Sequence, residues 1–207
     1  KAGGRVGRSR MVQVTGALRT YLRFLAATGE GPSDLDAHVE SPRIWRGERL
    51  PRALPWETVR TFLRSIDRST AKGRRDFAMF LLIATYGLRS SEVRALDLDD
   101  VAWRARQIRV SRPKIGTALL LPLTDEIAAA LLDYLRRSRP ASMHRRLFLR
   151  VAFPLGPLGL GAVGDAFRAW ARHAGIPPMG RGGPHSLRHS LALHLLREGA
   201  ALKTIGD

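Results

Sequence analysis

The sequence predicts a mainly α protein with a small antiparallel β-sheet, an α+β fold. Apolar residues recur at helical spacing through most of the chain, two short strand-like runs lie close together near its middle, and glycine or proline punctuates the segments between them. Residues 12–27, VQVTGALRTYLRFLAA, put Val14, Leu18, Tyr21, Leu22 and Leu25 on one stripe with Arg19 and Arg23 opposite, which is an amphipathic helix. The stretch that follows, TGEGPSDLDAHVESPRIWRGERLPRALP, is rich in Gly, Pro, Ser and charge and reads as a connector to a new domain.

From Pro55 the pattern tightens. PWETVRTFLRSI opens with proline in its first turn and sets Val59, Phe62, Leu63 and Ile66 on one side. RRDFAMFLLIATYG is apolar almost all round, as a central buried helix must be, and stops at Gly87. SSEVRALDL starts a short helix with Glu92 near the positive end of its dipole. RQIRVSRPKIGTALLLPL holds two strand-like runs separated by RPKIGT, a hairpin or meander, and Val101–Trp103 is a candidate further strand. TDEIAAALLDYLRRSR is an amphipathic helix capped by Thr124 or Asp125, and GAVGDAFRAWARHAG is another that ends at Gly175. SLRHSLALHLLREGA follows, with Leu187, Leu191 and Leu195 as its buried stripe, and LKTIGD begins a last segment.

Composition narrows the chemistry. With 207 residues and a hydrophobic fraction of 44%, the chain has material for one sizeable core or for one domain and part of a second. No apolar run is long enough to span a bilayer, no secretory signal region is visible, and the first residue is not methionine, so the expectation is a cytoplasmic fragment with no membrane partner. The absence of cysteine removes disulfides, thiolate zinc sites and thiol nucleophiles. A formal charge of +17 is the strongest bulk signal, since such a surface attracts polyanions and releases their counterions on binding. Only four of the 35 basic residues are lysine (Lys1, Lys72, Lys114, Lys203); the rest are arginine, whose planar fork suits bidentate phosphate contacts but not routine proton transfer.

Several residues are candidates for phosphate chemistry, each with a plainer reading beside it. Arg89 follows the glycine that ends the buried helix, a rigid mount for an outward guanidinium; the plainer reading is a solvent arginine paired with Glu92 at i+3. Lys114 lies in the hairpin turn, where a lysine is ordinarily just solvated but where a tip can reach a groove. His185 and Arg188 share a helix face at i and i+3 in the first turn of PHSLRHSLALHLL, a combination able to exchange protons and hold phosphate oxygens, or simply a capping turn. His185 and His189 at i and i+4 could pair on a metal, but they lack the glutamate of H-E-x-x-H and a third ligand. Tyr21, Tyr86 and Tyr134 each read as core residues.

Taken in order, Gly-Leu-Arg-x-x-Glu, a hairpin lysine and His-x-x-Arg-His resemble the tyrosine recombinase, or phage integrase, family, and its Xer-like members in particular. LRSSEVRALDLDDV, PHSLRHSLALHLLREGA and LKTIGD match family blocks in content and register. The resemblance implies a tyrosine recombinase catalytic-domain fold over residues 52–207, incomplete at its C-terminus, preceded by a linker at 31–51 and, at 1–30, the C-terminal remnant of a helical core-binding domain. It implies that Arg89 and Arg188 clamp the scissile phosphate, that Glu92 orients Arg89, that Lys114 is the general acid, that His185 acts in proton transfer and phosphate contact, and that His189 supports them. It implies no metal and no other cofactor, because a phosphotyrosine link conserves the bond energy. It further implies double-stranded DNA as partner, a homo-tetramer on paired sites when full length, and residence on the bacterial nucleoid in the cytoplasm. The family's nucleophilic tyrosine follows a segment like LKTIGD, and none of the three tyrosines here stands in that context, so the expectation is DNA binding without cleavage. A non-catalytic DNA-binding remnant or regulator, a type IB topoisomerase and a basic RNA-associated helical protein are the rival readings.

Overall fold

The computed structural model describes residues 7–43, 53–112, 117–177 and 183–200. The chain divides into two compact units, residues 1–50 and 51–207. In the first, α1 (Arg8–Ala27) carries the predicted amphipathic pattern, and the residues after it turn back along it. Arg19 donates to the Val39 carbonyl at 2.6 Å, Arg23 pairs with Asp36 at 2.6 Å, and Ser41 donates to the Thr15 hydroxyl at 2.7 Å. Those contacts use the polar side of α1; Met11, Val14, Leu18, Tyr21 and Phe24 remain exposed. Tyr21 is therefore a surface residue and not a core one.

The second unit is mostly helical around one core. It runs α2 (Trp56–Arg64), α3 (Ala71–Tyr86), α4 (Ser90–Ala95), β1 (Val101–Ala102), β2 (Gln107–Arg112), β3 (Thr117–Pro122), α5 (Asp125–Arg137), β4 (Leu149–Arg150), β5 (Gly156–Pro157), α6 (Ala162–His173) and α7 (His185–Arg197). α3 is the axis. Ten of its sixteen residues are buried, consistent with its nearly all-round apolar pattern, and it packs against α2, α5 and α7. Phe80 of α3 meets Phe62 of α2 at 5.2 Å and Phe167 of α6 at 6.0 Å between ring centroids, while Phe62 and Phe167 lie 5.0 Å apart, so three helices share one aromatic cluster.

The predicted strands form a three-stranded antiparallel sheet in the order β1-β2-β3. Pairing of Ile108 with Leu121 and Val110 with Leu119 puts the apolar residues of both long strands on one face, with Arg109 opposite Leu120 on the other. Because strand side chains alternate, this register buries Ile108 and Val110 while leaving Leu120 exposed. The short β4–β5 pair had no sequence signal: two residues per strand are too few to show alternation. α5 is capped by Thr124, whose hydroxyl accepts from the Ile127 amide at 3.4 Å. In α7 the predicted buried stripe is only partly so: Leu187 is fully buried, Leu191 half-buried, and Leu195 exposed, while Trp56 of α2 stacks on His194 with ring centroids 4.4 Å apart.

A buried charged group ties α3 to the rest of the unit. Asp76, with no exposed surface, accepts from Arg75 Nε at 2.9 Å and Nη2 at 2.7 Å, from Lys72 Nζ at 2.7 Å and from the Trp170 indole at 2.9 Å. Arg75, itself buried, also donates to the Leu149 carbonyl at 3.1 Å, so the Arg75–Asp76 pair links α3 to α6 through the carboxylate and to β4 through the guanidinium. Removing one member of a buried pair strands the other charge, so Asp76→Ala is expected to lower unfolding free energy by about 3–5 kcal/mol, read from urea denaturation. A loss below ~1 kcal/mol would show that Arg75 finds water or another acceptor.

Candidate active site

Three elements meet around the C-terminus of α3. Gly87 adopts φ 63°, ψ 28°, the left-handed conformation that stops a helix, and its amide donates to the Ile83 carbonyl. Leu88 drops into the core, and Arg89 becomes the N-cap of α4. The Glu92 carboxylate closes the turn with one oxygen on the Arg89 amide at 2.7 Å and the other on Arg89 Nη1 at 2.9 Å. Glu92 is 8% exposed and the Arg89 side chain 52% exposed, so a buried acid holds the base of an outward-facing guanidinium.

Arg188 approaches from α7. Its Nη1 donates to the Gly87 carbonyl, the carbonyl freed when α3 ends. A Cβ on Gly87 would lie 3.5 Å from Arg188 Cγ and 3.4 Å from Leu191 Cδ2, ordinary contact distances, so it is the positive φ and not the space that favours glycine here. α7 is itself anchored from below: the Leu54 amide donates to the buried Ser190 hydroxyl at 2.7 Å, which donates to the Ser186 carbonyl at 2.8 Å. One turn above, His185 and His189 stand edge to face with ring centroids 4.7 Å apart.

The electrostatics follow from this crowding. His185 is exposed at its outer edge, yet desolvation on its inner side pushes its pKa below the usual 6.5, and His189, Arg188 and Arg89 push it the same way. The neutral form of the imidazole is thus favoured in the neighbourhood of two arginines. Arg89, Glu92, His185, Arg188 and His189 belong to one neighbourhood. Lys114 lies outside the described residues, between the last paired positions of the hairpin, Arg112 and Thr117. Among the described residues no group of three His, Cys, Asp or Glu is arranged to hold a metal ion, and no helix is long and apolar enough to cross a membrane.

The model of the phage integrase family matches residues 53–207. The chain belongs to the phage integrase family. Among curated relatives, "Putative integrase/recombinase y4rA" of Sinorhizobium fredii is 42% identical over 211 residues, covering 100% of this chain and 50% of the relative. Tyrosine recombinase XerD of Listeria monocytogenes is 31% identical over 196 residues, covering 92% of this chain and 64% of XerD. The chain thus spans about half the length of y4rA and under two thirds of XerD. Among solved structures, the XerH site-specific recombinase bound to difH substrate superposes with a TM-score of 0.72 at 21% identity, over 99% of this chain and 59% of that one. A lambda integrase dimer bound to a core site gives 0.67 at 16% identity, over 93% and 68%. The fold is therefore that of the tyrosine recombinases.

Two contributors escape a reading of side chains alone. The Gly87 carbonyl is a main-chain partner of Arg188; its only sequence trace is a glycine two positions before Arg89, which signals a helix stop equally well. Ser190 is buried beneath the phage integrase motif and has no signature at all. The lowered His185 pKa has a direct consequence. Its folded value lies below the unfolded one, so the fold is fully favoured above about pH 6.5 and penalised as pH falls through the lowered folded value. An NMR titration of the His185 ring protons is expected to give a midpoint below 6.5, moving upward in Arg188→Ala; a midpoint above 6.5 contradicts the desolvated arrangement.

Proposed function

We propose that residues 52–207 are the catalytic domain of a site-specific DNA recombinase, in which Arg89 and Arg188 hold the nonbridging oxygens of a scissile phosphodiester. The observation that carries this reading is the shared mount of the two arginines: Arg89 and the carbonyl that binds Arg188 belong to one three-residue stretch, Gly87–Arg89. Two guanidiniums anchored two residues apart in the chain offer paired donors to a tetrahedral anion, and the start of α7 adds a favourable helix dipole.

The chemistry follows from in-line displacement at phosphorus. A tyrosine hydroxyl attacks, negative charge spreads over the equatorial oxygens, and the two arginines stabilise it where it develops. Glu92 keeps Arg89 in its rotamer. His185, whose neutral form is favoured by its surroundings, accepts the proton of the attacking hydroxyl and contacts the phosphate, with His189 packed against it. Lys114, carried by the β2–β3 hairpin, gives a proton to the departing 5′ oxygen. The 3′-phosphotyrosine link then conserves the bond energy for rejoining. Residues 1–30 are read as the remnant of a core-binding domain and 31–51 as the linker, with the full-length protein working as a tetramer on paired duplex sites.

These 207 residues by themselves are expected to bind duplex DNA without cutting it. Tyr134 is fully buried with its hydroxyl accepting from the Leu149 amide at 3.1 Å, the Tyr86 hydroxyl donates to the Pro122 carbonyl, and Tyr21 belongs to the other unit. A suicide duplex, selected from a random pool by binding, should shift in a gel with steep salt dependence and trap no covalent adduct; an adduct through any of these tyrosines overturns the assignment. In the full-length protein the same duplex should be trapped, and Arg89→Ala or Arg188→Ala should reduce trapping by about a hundredfold or more while sparing most of the binding. Equal affinity for structured RNA, indifferent to both substitutions, favours the RNA-associated alternative.

A further inference from the structure

Tyr86 sits where the arginine mount meets the strand hairpin. It is the last residue of α3, immediately before Gly87, and its ring packs at the edge of the core while its hydroxyl reaches across to β3 and donates to the carbonyl of Pro122, the final residue of that strand. Pro122 is paired with Gln107 at the base of the hairpin, and the next residue, Leu123, is buried and donates its amide to the Arg106 carbonyl at 2.7 Å. Thr124, which caps α5, also lies against the phenol, where its hydroxyl and amide favour the phenolate against the desolvation that raises the Tyr86 pKa. The phenol is thus engaged by the β3–α5 junction at a partly exposed edge of the core.

Four consecutive residues therefore hold four things. Tyr86 holds the hairpin base, the Gly87 carbonyl holds Arg188, Leu88 holds the core and Arg89 holds the acid of α4. The strands that Tyr86 fixes at Pro122 run out to the Arg112–Thr117 pair, and Lys114 lies in the sequence between those two residues. The backbone pairing is continuous from Pro122 to that pair, so an anchor at Pro122 bears on the whole described length of the hairpin.

We propose that Tyr86 is a positioning residue of the phosphoryl-transfer site: its hydroxyl registers the β2–β3 hairpin against the Gly87–Arg89 mount, so that the hairpin's proton donor and the two arginines address the same phosphate. The inference rests on the recombinase reading and adds to it a residue that touches neither DNA nor the reacting atoms. In the step concerned, a tyrosine oxygen forms a bond to phosphorus, the bond from phosphorus to the 5′ oxygen breaks, and a lysine ammonium transfers one proton to that leaving oxygen. If the leaving oxygen is replaced by sulfur, the thiolate departs without a proton, and the step no longer depends on how the donor is aimed.

The test compares these two leaving groups in the full-length protein, with a suicide duplex selected from a random-sequence pool and synthesised with either oxygen or sulfur at the bridging 5′ position. Tyr86→Phe keeps the ring and removes the hydroxyl. It should bind the duplex as wild type does, cleave the oxygen substrate about tenfold to a hundredfold more slowly, and cleave the sulfur substrate within about threefold of wild type. Lys114→Ala should show the same rescue, and the double variant should be no slower on oxygen than the slower single one. Wild-type cleavage of the oxygen substrate by Tyr86→Phe overturns the proposal, as does a slow oxygen reaction that sulfur leaves equally slow, which is the mark of general loosening. If wild type traps neither substrate, the recombinase reading itself fails, an outcome distinct from either.

Discussion

At Gly87 the chain leaves a buried helix through a left-handed turn, and much of the second unit depends on that turn being made there. A residue with a Cβ pays about 1–2 kcal/mol to adopt this conformation. The turn frees one main-chain carbonyl for a guanidinium from α7, sends Leu88 back into the core and presents Arg89 as the cap of α4. The last turn of α3 can serve in this way because its other end is fixed: Asp76, with Arg75, Lys72 and Trp170 around it, locks the first half of the helix to α6 and β4. A stop signal at one end and a satisfied buried carboxylate at the other make α3 a rigid strut.

Much of this was legible in the residues. The nearly all-round apolar run of Phe77–Tyr86, the glycine after it and the Ser-Ser-Glu that follows specify a buried helix, its end and a new beginning from local chemistry alone, and all three stand in the structure. The strand runs were equally readable, because Ile108 and Val110 alternate with arginine in the first and the second is a short leucine-rich run. Exposure was harder. The stripe on α1 and the stripe on α7 have the same periodicity as any buried face, yet Val14, Leu18, Tyr21 and Leu195 lie open, since periodicity states which residues share a face and not whether anything covers it.

In the candidate site, side-chain identity and spacing pointed to Arg89, Glu92, His185 and Arg188, but not to what orients them. Main-chain acceptors are invisible in a sequence, because every residue carries the same carbonyl; only the fold shows that the one at Gly87 faces Arg188. Tyr86 illustrates the same limit from the side-chain end. An aromatic at the end of an apolar helix reads as core, and its hydroxyl acquires meaning only when Pro122, distant in sequence, is brought beneath it. Long-range pairs of this kind are set by the packing of whole elements, which no local window contains.

The Tyr86–Arg89 stretch has a mechanical corollary. Attachments made to separate segments would fluctuate independently, and the spread in their mutual distances would accumulate from every joint between them. Attachments made to four consecutive residues move together, so a displacement of α3 carries the hairpin base, the Arg188 acceptor and Arg89 along as a common mode. The absolute position of the group can shift while its internal spacings hold, and a displacement becomes a translation of the set and not a distortion of it.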